Sequence, residues 1–419
     1  MLAHSPPLPL TVDYYYEDHE DDNSASAKDE QGLLLALEQR HRVRHIRLFL
    51  LSLNPQKLIM AIDEEFPILE YLIVNKSKDN TAMLVLSETL QAPHLRHLTL
   101  GGFTCPIRPR LHLTATGLVT LVLLTDHQFA YFQPNSLLQW ISFLPQLETL
   151  DVAFTFPVPS RDVERQLTHT QITTHTTLPN LRTFGFQGVS AYLEVLVCRI
   201  TTPRLETLQI RFFNQLTFSV PHLLQFMNAT ETLRFNTAQI MFKDKEFSVG
   251  MFFHGAAEYA FVVMVDCCHL DWQVSSVTQI SNAHSQVLSV VEHLTLEHKI
   301  HSQSSEEHNA VDRIEWRNLL RSFSNVKTLR VENGLVEELS QCLRLEDGEL
   351  PLEILPELQE LTYFGSGDTG DGFTSFVDAR RDAGRPVTLV RHSPKPSPLS
   401  TVPPAIAASG DEAGNDVET

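Results

Sequence analysis

Three features of the sequence predict an α/β fold of one kind, a curved array with a parallel sheet on its concave side and helices on its convex side. The first is a motif, Pro-x-Leu-x-x-Leu-x-Leu, recurring at Pro67, Pro93, Pro145, Pro179, Pro203 and Pro356, with looser copies starting at Val43, Leu118, Thr230, Ala257, Val291 and Val326. The second is its spacing. The first apolar slots fall at 43, 69, 95, 118, 147, 181, 205, 230, 257, 291, 326 and 358, and most intervals lie within the roughly 20–29 residues of a leucine-rich repeat. The third is that helical patterning stands before several motifs. One such unit cannot cover its own apolar face, whereas a stack can. The expected fold is therefore a leucine-rich-repeat solenoid of about twelve irregular repeats.

Each element follows from local chemistry. Residues 13–30 hold eight acids against Lys28 and read as an acidic, partly disordered lead-in, 1–30. The repeat domain then runs over 31–391. In each motif the apolar slots alternate with polar ones, the period of a half-buried strand. Leu137, Leu138, Ile141 and Leu144 share one face of a helix that Pro145 stops. Residues 221–227 behave alike, as do 313–323 with Ile314, Trp316, Leu319, Leu320 and Phe323. A strand is expected over 358–363, a helix over 373–381 and a closing strand over 386–390. From 392 to 419 five prolines and four acids leave nothing to build a core, so this stretch reads as a disordered tail.

Charge and cysteine content narrow the function. Lys and Arg number 32 against 51 Asp and Glu, a net charge of −19, and such a surface repels nucleic-acid backbones and anionic membranes. The five cysteines are widely scattered, which fits a reducing compartment, cytoplasmic or nuclear. No secretory signal and no span long enough for a bilayer is read.

Catalytic patterns are sparse. Gly365-Ser366-Gly367-Asp368-Thr369-Gly370 is a literal G-x-G-x-x-G between a strand and a helix. A dinucleotide site also needs an acid at the end of the next strand, where Arg391 and His392 stand instead. Asp266-Cys267-Cys268-His269 resembles metal ligands, yet adjacent cysteines on a strand point to opposite faces. His298, His301 and Glu306-Glu307-His308 read as polar loop residues. No hydrolase elbow, Walker glycine loop or H-E-x-x-H occurs. The expectation is a chain with no catalytic residues, no metal and no cofactor, which binds protein.

The outward strand slots are the surface that a concave-face partner meets. Thr120, Thr149, Thr183, Thr207, Thr232 and Thr328 occupy the first of them, and Asp151, Gln187, Gln209, Arg211, Arg234, Asn236, Glu297, Arg330 and Glu332 the later ones. Arg211, Arg234, Asn236 and Arg330 are the expected partner-binding residues, because arginine and asparagine on neighbouring strands can converge on one carboxylate or backbone target. The alternative is that each pairs with a neighbouring acid.

Residues 8–16 and 33–40, Gln91-Ala92-Pro93-His94-Leu95-Arg96-His97-Leu98-Thr99-Leu100, and Phe323-Ser324-Asn325-Val326-Lys327-Thr328-Leu329-Arg330-Val331 resemble one family. So do residues 355–361 and 384–390. It is the large group of F-box proteins of mushroom-forming fungi, whose repeats are degenerate leucine-rich repeats. In that family an N-terminal F-box engages the adaptor of a cullin-RING ubiquitin ligase and the repeats hold the substrate. The Leu-Pro, Leu-Leu and Ile-Phe pattern of the box is not found between Met1 and Glu30. The resemblance thus implies the substrate-recognition half of a ligase receptor, acting as a monomer and reaching the adaptor only if an F-box is supplied. The alternative is a stand-alone repeat scaffold unrelated to ubiquitin.

Overall fold

A computed structural model describes residues 8–14, 26–50, 55–62, 64–76, 84–86, 89–104, 111–125, 131–155, 175–213, 219–256, 258–283, 285–299, 311–332, 334–345, 349–364 and 371–392. The sheet strands in the first half are β1 (Leu10–Tyr14), β2 (Val43–Leu50), β3 (Tyr71–Lys76), β5 (His97–Gly101), β7 (Thr120–Thr125), β8 (Thr149–Phe154), β10 (Thr183–Gly188) and β12 (Thr207–Phe212). The second half adds β13 (Thr237–Lys243), β14 (Glu246–Phe252), β15 (Phe261–Asp266), β16 (His293–Lys299), β17 (Thr328–Val331), β18 (Glu360–Phe364) and β19 (Thr388–His392). Four two-residue strands, β4 (Leu84–Val85), β6 (Phe103–Thr104), β9 (Thr176–Thr177) and β11 (Ile200–Thr201), form two small pairs outside this sheet.

The fold is mixed α/β, with one open sheet of 15 strands in the order β1-β2-β3-β5-β7-β8-β10-β12-β15-β14-β13-β16-β17-β18-β19. The motif sets the strand starts. Slots 69, 95, 118, 147, 181, 205, 291, 326 and 358 are each followed two residues later by the first residue of a strand. Those nine strands pair in parallel with neighbours whose inward residues stand in register, as in Leu98↔Leu121 and Leu121↔Leu150. Along β7 burial alternates, with Leu121 and Leu123 inside and Val122 and Leu124 half-buried on the other face.

The helices are α1 (Ser26–Leu37), α2 (Pro55–Ala61), α3 (Leu111–Thr114), α4 (Pro134–Ile141), α5 (Ser190–Val197), α6 (Pro221–Ala229), α7 (Leu270–Ala283), α8 (Ser285–Leu288), α9 (Arg313–Arg321), α10 (Val336–Leu343) and α11 (Asp371–Asp382). Pro134 and Pro221 open α4 and α6 at positions where no backbone N–H is needed. The apolar stripes of the helices and the inward strand slots join one continuous core. Successive helices also touch, α4 with α5, α5 with α6, α9 with α10 and α10 with α11, so they form a row behind the sheet. No described helix is long and apolar enough to cross a membrane.

Two expected units are corrected. The copies read from Thr230 and Ala257 are not two successive parallel repeats. β13 pairs with β14 antiparallel, and β14 pairs with β15 antiparallel, giving a three-stranded meander inside the parallel sheet. Its chain order is reversed in space, because β15 is the strand that joins β12 while β13 joins β16. The buried apolar side chains of β13 are Ala238, Ile240 and Phe242, so its apolar frame starts at Phe235 rather than at Thr230. Residues 10–14 and 26–30 of the stretch read as an acidic lead-in form β1 and the start of α1. Residues 1–7 and 15–25 of that stretch, the glycine loop 365–370, and 393–419 lie outside the described residues.

Three polar or aromatic devices lock the elements. Phe154 at the end of β8 stacks on Tyr131 with ring centroids 4.0 Å apart and meets Tyr192 of α5 edge-on at 4.8 Å. The Tyr192 hydroxyl donates to the Phe132 carbonyl at 3.0 Å. Glu194, almost wholly buried, accepts from the backbone N–H groups of His222 and Leu223, both at 2.8 Å, and so caps α6 from the neighbouring helix. Arg380 of α11 is 0% exposed and donates to the carbonyls of Pro351, Leu355, Pro356 and Leu358.

Glu349 is gripped by Arg317 and by Arg313, whose nearest approach is 3.2 Å. Hydrogen bonding from Arg317, reinforced by the charge of both arginines, holds its carboxyl below the usual carboxylate range. The unfolded chain therefore takes up a proton first as pH falls, so this stabilisation is complete above the usual range and vanishes below the folded value. Glu349→Gln is expected to lower the urea midpoint at pH 7 by the equivalent of about 1–2 kcal/mol. In strong acid its midpoint should coincide with that of the parent, and a gap independent of pH would refute the assignment.

Candidate functional site

The face of the sheet opposite the helices is made of the outward strand slots. Parallel pairing in register turns them into rows. Thr120, Thr149, Thr183 and Thr207 stand side by side on β7, β8, β10 and β12, as β-branched residues suit neighbouring strands. The row continues the other way through His97, Tyr71 and His45, where Arg47 lies 5.1 Å from the Tyr71 ring centroid. Thr232, expected in the same row, is not on a strand; its hydroxyl donates to the Leu205 carbonyl. Thr328 lies beyond the meander, hydrogen-bonded to His293 Nδ1 at 2.7 Å.

The next rows are less polar than a solvated face needs. Ile73, Val122 and Leu124 are half-buried on β3 and β7, and Val262, Met264 and Met241 are half-buried on the meander. Ala153 sits beside Leu124 in register. Between these apolar groups some outward slots are glycine, and there a neighbouring side chain lies over the backbone. The Asp151 carboxyl covers Gly185, whose missing Cβ would come 2.7 Å from Oδ1, and the Tyr259 ring covers Gly250, whose Cβ would come 2.5 Å from Cε1. Tyr259 is thereby laid flat across β14, edge-on to Phe252 at 5.3 Å, with its hydroxyl donating to Gln239 Oε1 at 2.7 Å. Its ring is 38% exposed.

The four expected binding residues do not converge. Arg211 on β12 donates to Asp266 at 2.7 Å and to Glu246 at 2.9 Å, and Lys243 meets Glu246 at 2.6 Å. These two cations and two anions on β12, β15, β14 and β13 neutralise one another and bound the meander at one end. Hydrogen bonding from Lys243, aided by both charges, holds the Glu246 carboxyl low. Arg330 on β17 pairs with Glu332 at 2.7 Å and packs over Phe364 at 4.5 Å. Five strand steps separate β12 from β17, about 24 Å at the usual strand spacing.

Arg234 and Asn236 are corrected, since both precede β13 rather than occupying its outward slots. Arg234 donates to the Glu231 carbonyl at 3.4 Å, and Asn236 Oδ1 accepts from the His254 N–H at 2.8 Å and from the Thr237 hydroxyl at 3.2 Å. Asn236 thus shapes the turn beside His254 and His293, whose rings lie 4.8 Å apart. Burial, with the neighbouring His254, lowers the His293 pKa.

The meander residues Tyr259, Met241 and Met264 were missed by reasoning from the sequence. The alternation of Phe247, Val249 and Met251 after Asp244-Lys245 is the signal that reveals β14.

Among the described residues no three His, Cys, Asp or Glu side chains assemble as a metal-ligand group. Cys267 is buried and Cys268 exposed, both just past the end of β15. His298 is buried at the end of β16, while His301 and the Glu306, Glu307 and His308 group lie outside the described residues. A hollow of about 270 Å³ between α5, β11 and α6 is lined by His175, Cys198, Thr201, Thr202, His222 and Gln225 among others. Burial raises the Cys198 thiol pKa and its proton is directed at the Val195 carbonyl, 3.3 Å away, so it is not activated as a nucleophile.

No family model matches the sequence, and no curated protein matches it. Among solved structures the chain is similar to the leucine-rich repeat-containing protein LegL7 from Legionella pneumophila. The identity is 12%, over 81% of this chain and 93% of that one, with a TM-score of 0.29.

Proposed function

We propose that this chain is a protein-binding module that receives its partner on the open face of the sheet, as an array of leucine-rich-repeat type rather than as an enzyme. The observation that carries this reading is two apolar groups among the outward slots, Val122, Leu124 and Ala153 on β7 and β8, and Val262 and Met264 on β15 with the Tyr259 ring laid over Gly250 beside them. Such groups, set among threonine, glutamine and mutually paired charges, suit a protein interface, where tyrosine and methionine are enriched. Arg211, in register with Met264 and already neutralised by Asp266 and Glu246, lies between the two groups. In this reading residues 31–391 form the body of the binding array, which β1 and the start of α1 extend into 1–30, and 392–419 follow it.

The test begins with peptides selected from a displayed random library against the full-length protein. Binders should lose about tenfold or more in affinity when Tyr259 is changed to alanine, and be unaffected when Leu113, exposed on α3, is changed instead. Binders insensitive to Tyr259→Ala and to Val122→Asp would overturn the reading.

The finer form rests on the resemblance of residues 91–100 and 323–331 to F-box-linked repeats. It makes the bound protein a substrate for ubiquitin transfer, with the ligase adaptor reached only if an F-box is supplied. The alternative is a stand-alone scaffold. Depleting the ligase adaptor in cells separates the two: the partner's half-life lengthens under the first and is unchanged under the second.

A further inference from the structure

Resting on that reading, we propose that Asp151 is the anchor of the open face and that the partner fills it with a basic side chain, lysine or arginine. Asp151 stands on β8 with Val122 on one side and Gly185 on the other in strict register. Its carboxyl leans into the space that a side chain at residue 185 would occupy. A larger residue there would push it away.

Asp151 differs from the other carboxylates of this face. Asp13 faces Arg47, Glu246 and Asp266 share Arg211, Glu297 meets Lys299, and Glu332 meets Arg330. Among the described residues nothing donates a hydrogen bond to Asp151 or pairs with its charge. Its surroundings are nonetheless partly dry, and burial alone pushes its carboxyl above the usual range. A half-buried, unpaired carboxylate is unfavourable in the free protein, and an incoming cation removes that cost.

The neighbours fit such a group. Val122, Leu124 and Ala153 offer apolar surface to the methylene stem of lysine or arginine. The hydroxyls of Thr149 and Thr183, one residue-pair along the same strands, can accept the remaining N–H donors. The net charge of −19 draws a basic segment toward the face before contact. From β8 to the Tyr259 platform on β14 is four strand steps, about 19 Å, which about six residues of extended chain can span. A partner segment with a base at one end and an apolar residue at the other matches both features.

The test uses the peptides selected above. Binders should carry lysine or arginine at one constant position, and Asp151→Asn should weaken them about tenfold or more while leaving the melting temperature equal or higher. Replacing the peptide's base by norleucine should cost the same in the parent protein and almost nothing in Asp151→Asn. Gly185→Val, which displaces the carboxyl without removing it, should reproduce the loss. If binders respond to Tyr259→Ala but change less than about twofold with Asp151→Asn, this inference fails while the binding face stands. If they respond to none of Tyr259→Ala, Val122→Asp and Asp151→Asn, both fail.

Discussion

Replacing Arg380 by methionine should detach α11 from the end of the sheet. The guanidinium is sealed from water and spans four carbonyls of the 351–358 turn, at 3.4, 3.2, 2.9 and 3.1 Å. Among the described residues no carboxylate pairs with it, and the carbonyl dipoles and the Phe376 ring, 5.9 Å away, compensate its charge. One of those carbonyls belongs to Leu355, which is buried with a φ of 49°, a left-handed conformation that costs about 1 kcal/mol or more outside glycine. Without Arg380 several buried carbonyls lose a donor, and the turn is left to backbone bonds such as that from the Leu358 N–H to the Leu355 carbonyl at 3.0 Å. The expected cost is about 3–5 kcal/mol. Lysine keeps the charge but not the planar fork, so Arg380→Lys should be nearly as harmful. Hydrogen exchange reads the effect: amides of β18 and α11 should lose protection while those of β3 and β5 keep theirs. Retained protection at residues 371–382 would refute this role.

Phe154→Ala should carry the largest cost in the first half of the molecule, about 3–5 kcal/mol. Its ring is wholly buried and touches Tyr131, Phe132, Phe186 and Tyr192 with centroids 4.0 to 6.2 Å apart. Removing it opens a void bounded by rigid rings that cannot collapse to fill it. Tyr192→Phe isolates one hydrogen bond of the same group and should cost about 1 kcal/mol. Phe143→Ala, at a ring 41% exposed, should be nearly silent. Urea unfolding orders the three, and a cost for Phe154→Ala no larger than that for Phe143→Ala would show that the aromatic cluster adds little.

The sequence was most legible where proline and leucine act together. At Leu147, Leu181 and Leu205 the proline stops what precedes it, and the slot spacing fixes both the strand and its register. The helices from Pro134, Pro221 and Arg313 were likewise visible as apolar stripes. Legibility failed between Thr230 and Asp266. The turn after Lys243 is Asp244-Lys245, with no glycine or asparagine to mark a two-residue hairpin. Ala238 is an inward residue too small to read as a core position, so the period was anchored on Leu233 and came out of phase. The binding residues inherited that error, since Arg234 and Asn236 were assigned from the displaced frame. Asp151 was seen as an outward slot, but its lack of a partner depends on Gly185, on a strand 34 residues later, and no local pattern encodes it.

The reversed meander has a consequence for how the chain is made. In a parallel array each new strand can dock on the one before it as it leaves the ribosome, so assembly follows synthesis. Here β13 emerges next after β12 but does not pair with it; its partners, β14 and β16, are both still to come. The exposed edge of β12 must wait for β15, whose first residue is Phe261. Vectorial growth therefore halts at Phe212 and resumes only when β13, β14 and β15 close as a unit. Until then the nascent chain carries a finished N-terminal block with an unpaired parallel edge, the stage at which it is most open to mispairing.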